Sequence, residues 1–132
     1  KKGLELIDDK KSLLIEKTKT TIIELIHYSE KYPKINYSDY LGEQLDYNYN
    51  HLSSLFSEIT GTTIGNYIII NKIERVKELL LYDELTLTEI SLLMEYSSVA
   101  HLSHQFKKIT GLTPTYFKKI KQYKKRIMLE EL

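Results

Sequence analysis

The 132-residue sequence predicts an all-α fold in which two similar helical units are joined by one long helix. Apolar residues recur at helical spacing along most of the chain, and no stretch shows the strict alternation that is typical of a strand. In addition, the segment HLSSLFSEITGTT at residues 51–63 returns as HLSHQFKKITGLT at residues 101–113, with eight of the thirteen positions identical. A repeat at an offset of 50 residues indicates that one structural unit occurs twice.

The first unit is expected to contain three helices. The first would extend over about residues 8–31, with the apolar residues Ile15, Ile22, Leu25 and Ile26 directed inward. A shorter helix at about residues 38–45 precedes a turn, after which Asn48 is a suitable N-cap for a third helix. The inward stripe of this third helix comprises Leu52, Leu55, Phe56 and Ile59. Gly61 is expected to end it, because glycine readily adopts the left-handed conformation that follows a helix.

The second unit repeats this plan after a connecting helix at about residues 64–82, which is so apolar that it should be packed against both units. Thr86 and Glu89 have the spacing of a capping box and begin a short helix. Ser97 or Ser98 caps the next helix. Its inward stripe comprises Val99, Leu102, Phe106 and Ile109. Gly111 is expected to end that helix, and the last helix begins at Thr113 and Pro114.

Two short helices joined by a tight turn form the helix-turn-helix plan, in which the second helix enters the major groove of DNA. Gly42 and Ser91 are small residues at the point where the two helices of each unit must approach closely. The outward face of the second copy comprises Ala100, His101, His104, Lys107 and Lys108, and that of the first comprises Asn50, Ser53, Ser54, Ser57 and Glu58. Imidazole, amide and hydroxyl groups can hydrogen-bond to base edges, and ammonium groups suit phosphates.

Charge is distributed unevenly along the chain, although the net charge is only +1. Residues 36–66 carry four acidic residues and no Lys or Arg, whereas residues 107–126 carry eight basic residues and no acidic one. A basic block of this kind favours a face that binds an anion. The alternative is an ordinary solvated helix end, and the run at residues 118–126 fits a phosphate-binding tail and a merely soluble tail equally well.

The segments SSLFSEITGTTIGNYIIINKIERVKELL and ISLLMEYSSVAHLSHQFKKITGLTPTYFKK resemble the DNA-binding domain of the AraC/XylS regulators, over roughly residues 19–121. The second segment is the more specific one, through YSS at 96–98, FKK at 106–108, TG at 110–111 and TP at 113–114. The resemblance implies two homeodomain-like helix-turn-helix subdomains, with recognition helices in adjacent major-groove segments and a linker helix that holds their separation. It also implies a bacterial transcription regulator, usually an activator. The implied partners are double-stranded DNA, RNA polymerase as a candidate, and an upstream sensing or oligomerising domain of the same protein.

Together, the outward faces and the resemblance assign candidate DNA contacts to both units. Those of the second recognition helix are Ser98, Val99, Ala100, His101, Ser103, His104, Lys107 and Lys108. Those of the first are Tyr49, Asn50, Ser53, Ser54 and Ser57, and the candidate phosphate contacts are Lys118 and Lys119. The sequence departs from the family pattern at several positions: His104 and Ser54 replace a common arginine, Ser57 and Glu58 replace basic residues, and Asp46 and Glu95 replace turn glycines. The first recognition helix therefore carries no cation.

The expected domain organisation follows from the repeat and the resemblance. Residues 1–18 are expected to form a junction or N-terminal extension to a missing upstream domain, and residues 19–63 the first helix-turn-helix subdomain. The linker helix would comprise residues 64–83. The second subdomain with its basic tail would comprise residues 84–126, and a C-terminal tail residues 127–132. The sequence begins at Lys1 without a methionine, which is expected of a fragment of a longer protein. There is no cysteine, signal-peptide pattern or apolar run long enough to span a membrane, so a cytoplasmic protein is expected.

The main alternative to DNA binding is a protein-interaction module derived from the same fold, with weak or no DNA binding because the first unit is acidic. His101 and His104 have a spacing that can bind metal, but neither cysteine nor carboxylate accompanies them on that face. The paired carboxylates at residues 8–9 and 130–131 lie near the termini, where no pocket is implied. We therefore expect no metal, no cofactor and no enzymatic activity.

Overall fold

The computed structural model describes residues 2–28 and 36–131, with side chains from residue 9 onward, and within these ranges it contains helices and no strand. The helices of the described part are α1 (Lys2–His27), α2 (Tyr37–Leu45), α3 (Tyr49–Thr60), α4 (Ile64–Tyr82), α5 (Leu87–Leu93), α6 (Val99–Thr110) and α7 (Pro114–Glu130). The prediction of an all-α fold is confirmed. None of these helices, in the residues described, is long and apolar enough to cross a membrane.

The helix bounds agree with those predicted from the sequence except at α1. The connecting helix α4 has the predicted limits. In contrast, α1 begins at Lys2 rather than near residue 8, and it runs without interruption across the predicted domain boundary between residues 18 and 19. The predicted end of this helix, at residue 31, lies outside the described residues, as does residue 132 of the predicted tail.

The chain divides into two compact units, Lys1–Asn71 and Lys72–Leu132, and the division falls inside α4. In the first unit, α1, α2 and α3 all contact one another. Its buried apolar residues are Ile15, Ile22, Leu25, Ile26, Leu41, Leu52, Phe56, Ile64 and Ile68. All four residues predicted to face inward from α1 belong to this core. Thr18 is also buried, and its hydroxyl is satisfied because it donates to the Leu14 carbonyl at 2.8 Å.

In the second unit, α6 contacts both α5 and α7. Its buried apolar residues are Ile73, Val76, Leu79, Leu80, Ile90, Met94, Tyr96, Leu102, Phe106 and Phe117. The helix α5 begins with the predicted capping box: the Glu89 amide donates to the Thr86 hydroxyl at 3.1 Å, and the Thr86 amide donates to the Glu89 carboxylate at 3.0 Å. These hydrogen bonds hold the pKa of Glu89 below its ordinary value.

The sequence repeat corresponds to equivalent capping and packing in the two units. The helices α3 and α6 each contain 12 residues, with Asn48 and Ser98 as their N-caps. Each ends at a glycine in the left-handed conformation, with φ of 76° at Gly61 and 84° at Gly111. The central phenylalanine of each helix is fully buried and meets an aromatic ring of the following helix edge-on, at 5.6 Å in the first unit and 5.5 Å in the second.

One part of the predicted inward stripes is wrong. Ile59 and Ile109 are 43% and 40% exposed, although Leu52 and Leu102 on the same stripes are fully buried. The helical period places the isoleucines on the correct side, but they lie within two residues of the helix ends. A helical face is buried only as far as its neighbours extend, so the last turn remains open to solvent.

Candidate nucleic-acid interface

Each unit contains two helices joined by a turn of the same construction. The Tyr47 amide donates to the Gly42 carbonyl at 3.2 Å, and the Tyr96 amide donates to the Ser91 carbonyl at 2.8 Å. The residue before each tyrosine has a positive φ, 49° at Asp46 and 60° at Glu95. This conformation is uncommon for residues other than glycine and is tolerated best by short polar side chains. Asp46 and Glu95, which replace the turn glycines of the family, therefore have the backbone conformation that a glycine would adopt there.

Close approach at these turns explains the small residues that the sequence places there. A Cβ atom on Gly42 would lie 3.4 Å from the Tyr47 carbonyl oxygen. At the equivalent position, Ser91 is buried, and its hydroxyl donates to the Thr88 carbonyl at 2.8 Å. Two short helices are thereby held across a tight turn in each unit, as α2 with α3 and as α5 with α6.

We call the solvent-facing side of α6 the α6 face; it comprises Ala100, His101, His104, Lys107 and Lys108, all of which are exposed. The other residues assigned to this recognition helix lie at its edges. Val99 and Ser103 are half-buried, and the Ser98 hydroxyl accepts a hydrogen bond from the His101 amide at 3.0 Å as the N-cap. Ser98 therefore has a structural task as an acceptor, and its O–H group remains able to donate to DNA.

The α3 face is defined by Asn50, Ser53, Ser54, Ser57 and Glu58. Asn50, Ser54 and Glu58 are exposed, whereas Ser53 and Ser57 are half-buried, as is the neighbouring candidate Tyr49. This face is polar and its only charge is negative. The two candidate recognition helices thus share their geometry and differ in charge.

The ring of His101 is held by two contacts that sequence reasoning missed. Its Nδ1 lies 3.1 Å from the Ser97 hydroxyl, and its ring meets the Tyr96 ring edge-on with centroids 5.1 Å apart. The Tyr96 hydroxyl donates to the Gln105 side-chain oxygen at 2.6 Å. Gln105 occupies the position that Leu55 occupies in the first copy of the repeat. A polar residue where the other copy has an apolar one indicates that its side chain has a hydrogen-bond partner, and this was the sequence feature that could have predicted the contact with Tyr96.

Burial governs the ionisation of the groups around Tyr96. Burial raises the pKa of the Tyr96 phenol to about 12, so the hydroxyl remains a donor at neutral pH. The Lys72 ammonium lies 4.3 Å from the centroid of the Tyr96 ring. Burial lowers the pKa of Lys72, and the nearby Glu95 carboxylate opposes that shift.

The candidate phosphate contacts differ in their availability. Lys107 and Lys108 are exposed in the last turn of α6 and have no ion-pair partner among the described residues. Lys119 is exposed as well. Lys118, in contrast, is paired with the Asp83 carboxylate, and its side chain is 29% exposed. Of the two candidates in α7, Lys119 is therefore the one that is free to meet a phosphate.

No group of three or more histidine, cysteine, aspartate or glutamate residues suited to a metal ion occurs within the described residues. The histidines of the α6 face instead point to hydrogen bonding, since an imidazole can donate or accept at each ring nitrogen.

Comparison with known proteins identifies the family. A family model described as a helix-turn-helix domain matches residues 41–120, which include both turns and both candidate recognition helices. The chain belongs to the AraC-type helix-turn-helix family of DNA-binding domains of transcription regulators. The resemblance found in the sequence is confirmed.

Several relatives and solved structures are similar to the chain. The F1 operon positive regulatory protein of Yersinia pestis is 32% identical over 108 residues, which cover 82% of this chain and 36% of that protein. An AraC-type transcriptional regulator structure from Chromobacterium violaceum has a TM-score of 0.66 at 20% identity, over 79% of this chain and 91% of that one. The DNA-binding domain of AdpA, solved with a target DNA, has a TM-score of 0.65 at 14% identity, over 83% of this chain and 94% of that one. The chain spans about a third of the length of the Yersinia relative.

Proposed function

We propose that this chain binds double-stranded DNA in a sequence-specific manner and thereby regulates transcription, with α3 and α6 as recognition helices in adjacent segments of the major groove. The observation that carries the proposal is the α6 face, where His101, His104, Lys107 and Lys108 are all exposed and no acidic residue occurs. A helix with polar groups outward and a buried opposite side is suited to lie in the major groove.

The positions of these side chains along α6 indicate which of them contact bases and which contact phosphates. His101 and His104 lie in the first half of the helix, and in helix-turn-helix proteins the N-terminal residues of the recognition helix contact base edges. Lys107 and Lys108 lie in the last turn, where long ammonium side chains suit the phosphates that border the groove. The expected result is base recognition by imidazole groups and anchoring by lysines.

The α3 face is proposed to adjust specificity and to add little affinity. Asn50 is exposed in the first turn of α3, and asparagine can form two hydrogen bonds with adenine in the major groove. Glu58 is exposed near the other end of α3, where a phosphate would meet repulsion rather than a charge-assisted hydrogen bond. Most of the binding free energy is therefore assigned to α6.

Simultaneous binding by α3 and α6 on one face of DNA requires their centres to be about one helical turn apart, roughly 34 Å. The proposal assigns the maintenance of this separation to α4. Its support is that α4 continues without interruption for 19 residues, since a continuous helix is a stiff connector.

Positive regulation is proposed because the Yersinia relative is named a positive regulatory protein. An activator acts on the transcription machinery, so RNA polymerase is a proposed partner. A sensing or oligomerising domain of the same protein is a further proposed partner, because the matched region covers 36% of that relative.

The experiment is selection of bound duplexes from a random DNA pool, followed by titration of the selected duplex and a scrambled duplex at a stated salt concentration. The proposal predicts a clear preference for the selected sequence. A double variant, Lys107→Ala with Lys108→Ala, should weaken binding to both duplexes, because phosphate contacts do not depend on sequence. Failure to enrich any sequence would contradict the proposed function.

A protein-interaction module is the second candidate function, and one observation favours it. An open cleft of about 420 Å³ in the first unit is lined by the carboxylates of Asp39, Glu43 and Asp46 together with Ser38 and Tyr49. This acidic cleft would suit a basic partner protein and not a phosphate backbone. A DNA affinity that is weak and independent of salt would favour this candidate over the first.

A further inference from the structure

We infer that Ser97 and Tyr96 position the His101 imidazole so that His101 recognises a guanine in the major groove. This inference rests on the proposed DNA binding and adds to it a named base contact and the two residues that hold it. The inference assigns this role to His101 and not to His104. His104 is exposed on the same face, but it has no hydrogen bond or ring contact among the described residues.

The contacts of His101 restrict both the direction and the tilt of its ring. Nδ1 lies 3.1 Å from the Ser97 hydroxyl, which precedes the helix by two residues. The Tyr96 ring meets the imidazole at an interplanar angle of 79°, with centroids 5.1 Å apart. Nε2 has no partner among the residues described and is the ring nitrogen left for DNA. A side chain that is ordered before binding loses less conformational entropy when it makes its contact.

Tyr96 is itself fixed, so it can serve as a support. It is 6% exposed, and its hydroxyl donates to Gln105 at 2.6 Å. The Lys72 ammonium covers the Tyr96 ring at 4.3 Å from the centroid. The orientation of His101 is therefore coupled to the packing of the second unit and not to solvent alone.

The Ser97 contact is compatible with a hydrogen-bond donor at Nε2 in two of the three protonation states of the His101 ring. When the Ser97 hydroxyl donates to Nδ1, the neutral ring carries its proton on Nε2. When the ring is protonated, Nδ1 donates to the Ser97 oxygen and Nε2 again carries a proton. Only the neutral ring protonated at Nδ1 presents an acceptor at Nε2. Guanine displays two acceptors in the major groove, N7 and O6, and is the base that best matches such a donor.

The first unit provides an internal control. His51 is the repeat equivalent of His101 and is likewise exposed, but its ring has no hydrogen bond or ring contact among the described residues. Only its backbone amide is engaged, with the Asn48 side chain at 3.2 Å. Tyr47, the equivalent of Tyr96, is 41% exposed, and Leu55 replaces Gln105. The positioning contacts thus occur in one copy of the repeat and not in the other.

The test begins with selection from a random DNA pool by the unchanged chain and by His101→Ala. The unchanged chain should prefer guanine at one position where His101→Ala shows no preference. That guanine is then replaced by 7-deazaguanine, which lacks the N7 acceptor. The unchanged chain should lose about five-fold or more in affinity, at the lower end of the range for base contacts. For His101→Ala, replacing the guanine by 7-deazaguanine should cause no further loss of affinity. For His51→Ala, the same replacement should reduce the affinity as much as it does for the unchanged chain.

The positioning role is tested with Ser97→Ala and Ser97→Thr on the same two duplexes. Ser97→Ala should lose the discrimination between guanine and 7-deazaguanine, and Ser97→Thr should keep it, because threonine retains the hydroxyl. If the role of Ser97 were purely structural, Ser97→Ala would weaken binding to both duplexes equally. Full discrimination by Ser97→Ala, or an unchanged guanine preference in His101→Ala, would overturn the inference while DNA binding stands. If the unchanged chain enriches no sequence, the proposed function itself fails.

Discussion

Two lysines of the second unit should differ in their effect on DNA binding, because only one of them is already engaged by a carboxylate. Lys108 is exposed on the α6 face, whereas Lys118 is paired with Asp83. We predict that Lys108→Ala reduces the salt dependence of DNA binding and that Lys118→Ala, its matched control, does not. The two changes remove the same charge and the same side chain from one compact unit.

The magnitude follows from the number of assigned phosphate contacts that are not already paired with a carboxylate. With Lys107, Lys108 and Lys119 free, three phosphate contacts at about 0.9 each give a slope of log K against log salt near −2.7. Raising the salt from 50 to 200 mM should therefore weaken binding about 40-fold. Lys108→Ala should have a slope near −1.8 and weaken about 12-fold over the same range. Lys118→Ala should keep the slope of the unchanged chain.

The assay is a fluorescence-anisotropy titration of a labelled duplex at four or more salt concentrations, with thermal unfolding of each variant as a control for folding. Removing the Lys118–Asp83 pair should change the free energy of unfolding by less than about 1 kcal/mol, as for other surface ion pairs. Equal slopes for the two variants, or a slope for the unchanged chain much steeper than −2.7, would refute the assignment of phosphate contacts.

Three further predictions concern the two faces and one helix end. His104→Ala should weaken specific binding by about 1–3 kcal/mol, and Ser54→Ala by less, in titrations on the selected duplex; equal losses would contradict the assigned asymmetry. Glu58→Lys should strengthen binding to selected and scrambled duplexes alike and steepen the salt slope by about 0.9, and an unchanged slope would count against a phosphate near this residue. Gly111→Ala should lower the free energy of unfolding by about 1–2 kcal/mol in urea titrations, because φ is 84° there. Gly65→Ala should be tolerated, since the nearest atom to the added Cβ lies 3.9 Å away.

Most of the fold could be predicted from the sequence because local signals and the repeat agreed. Asn48 and Ser98 are caps, Gly61 and Gly111 are left-handed helix ends, and the connecting helix has its predicted limits. Each of these features depends on a few neighbouring residues, which a single sequence displays directly. The exposed face of α6 followed from the same periodicity, whereas Ser53 and Ser57 of the predicted α3 face are half-buried.

The features that could not be predicted from the sequence depend on residues that are distant in the chain or on how far a packed neighbouring helix extends. The exposure of Ile59 and Ile109 is set by the reach of the packed helices, which periodicity does not encode. The pairing of Lys118 with Asp83 joins residues 35 positions apart. The contact of Ser97 with the His101 ring depends on side-chain rotamers at a helix start, which spacing alone does not determine.

The most direct test of sequence-specific DNA binding by this chain is one titration that compares the duplex selected from a random pool with a scrambled duplex of equal length, both at 100 mM salt. We predict that the chain binds the selected duplex at least about 1,000-fold more tightly, as specific DNA-binding domains do. We also predict that His104→Ala removes part of that difference. Equal affinity for the two duplexes, or no measurable binding to either, would contradict sequence-specific DNA binding and favour the protein-interaction function.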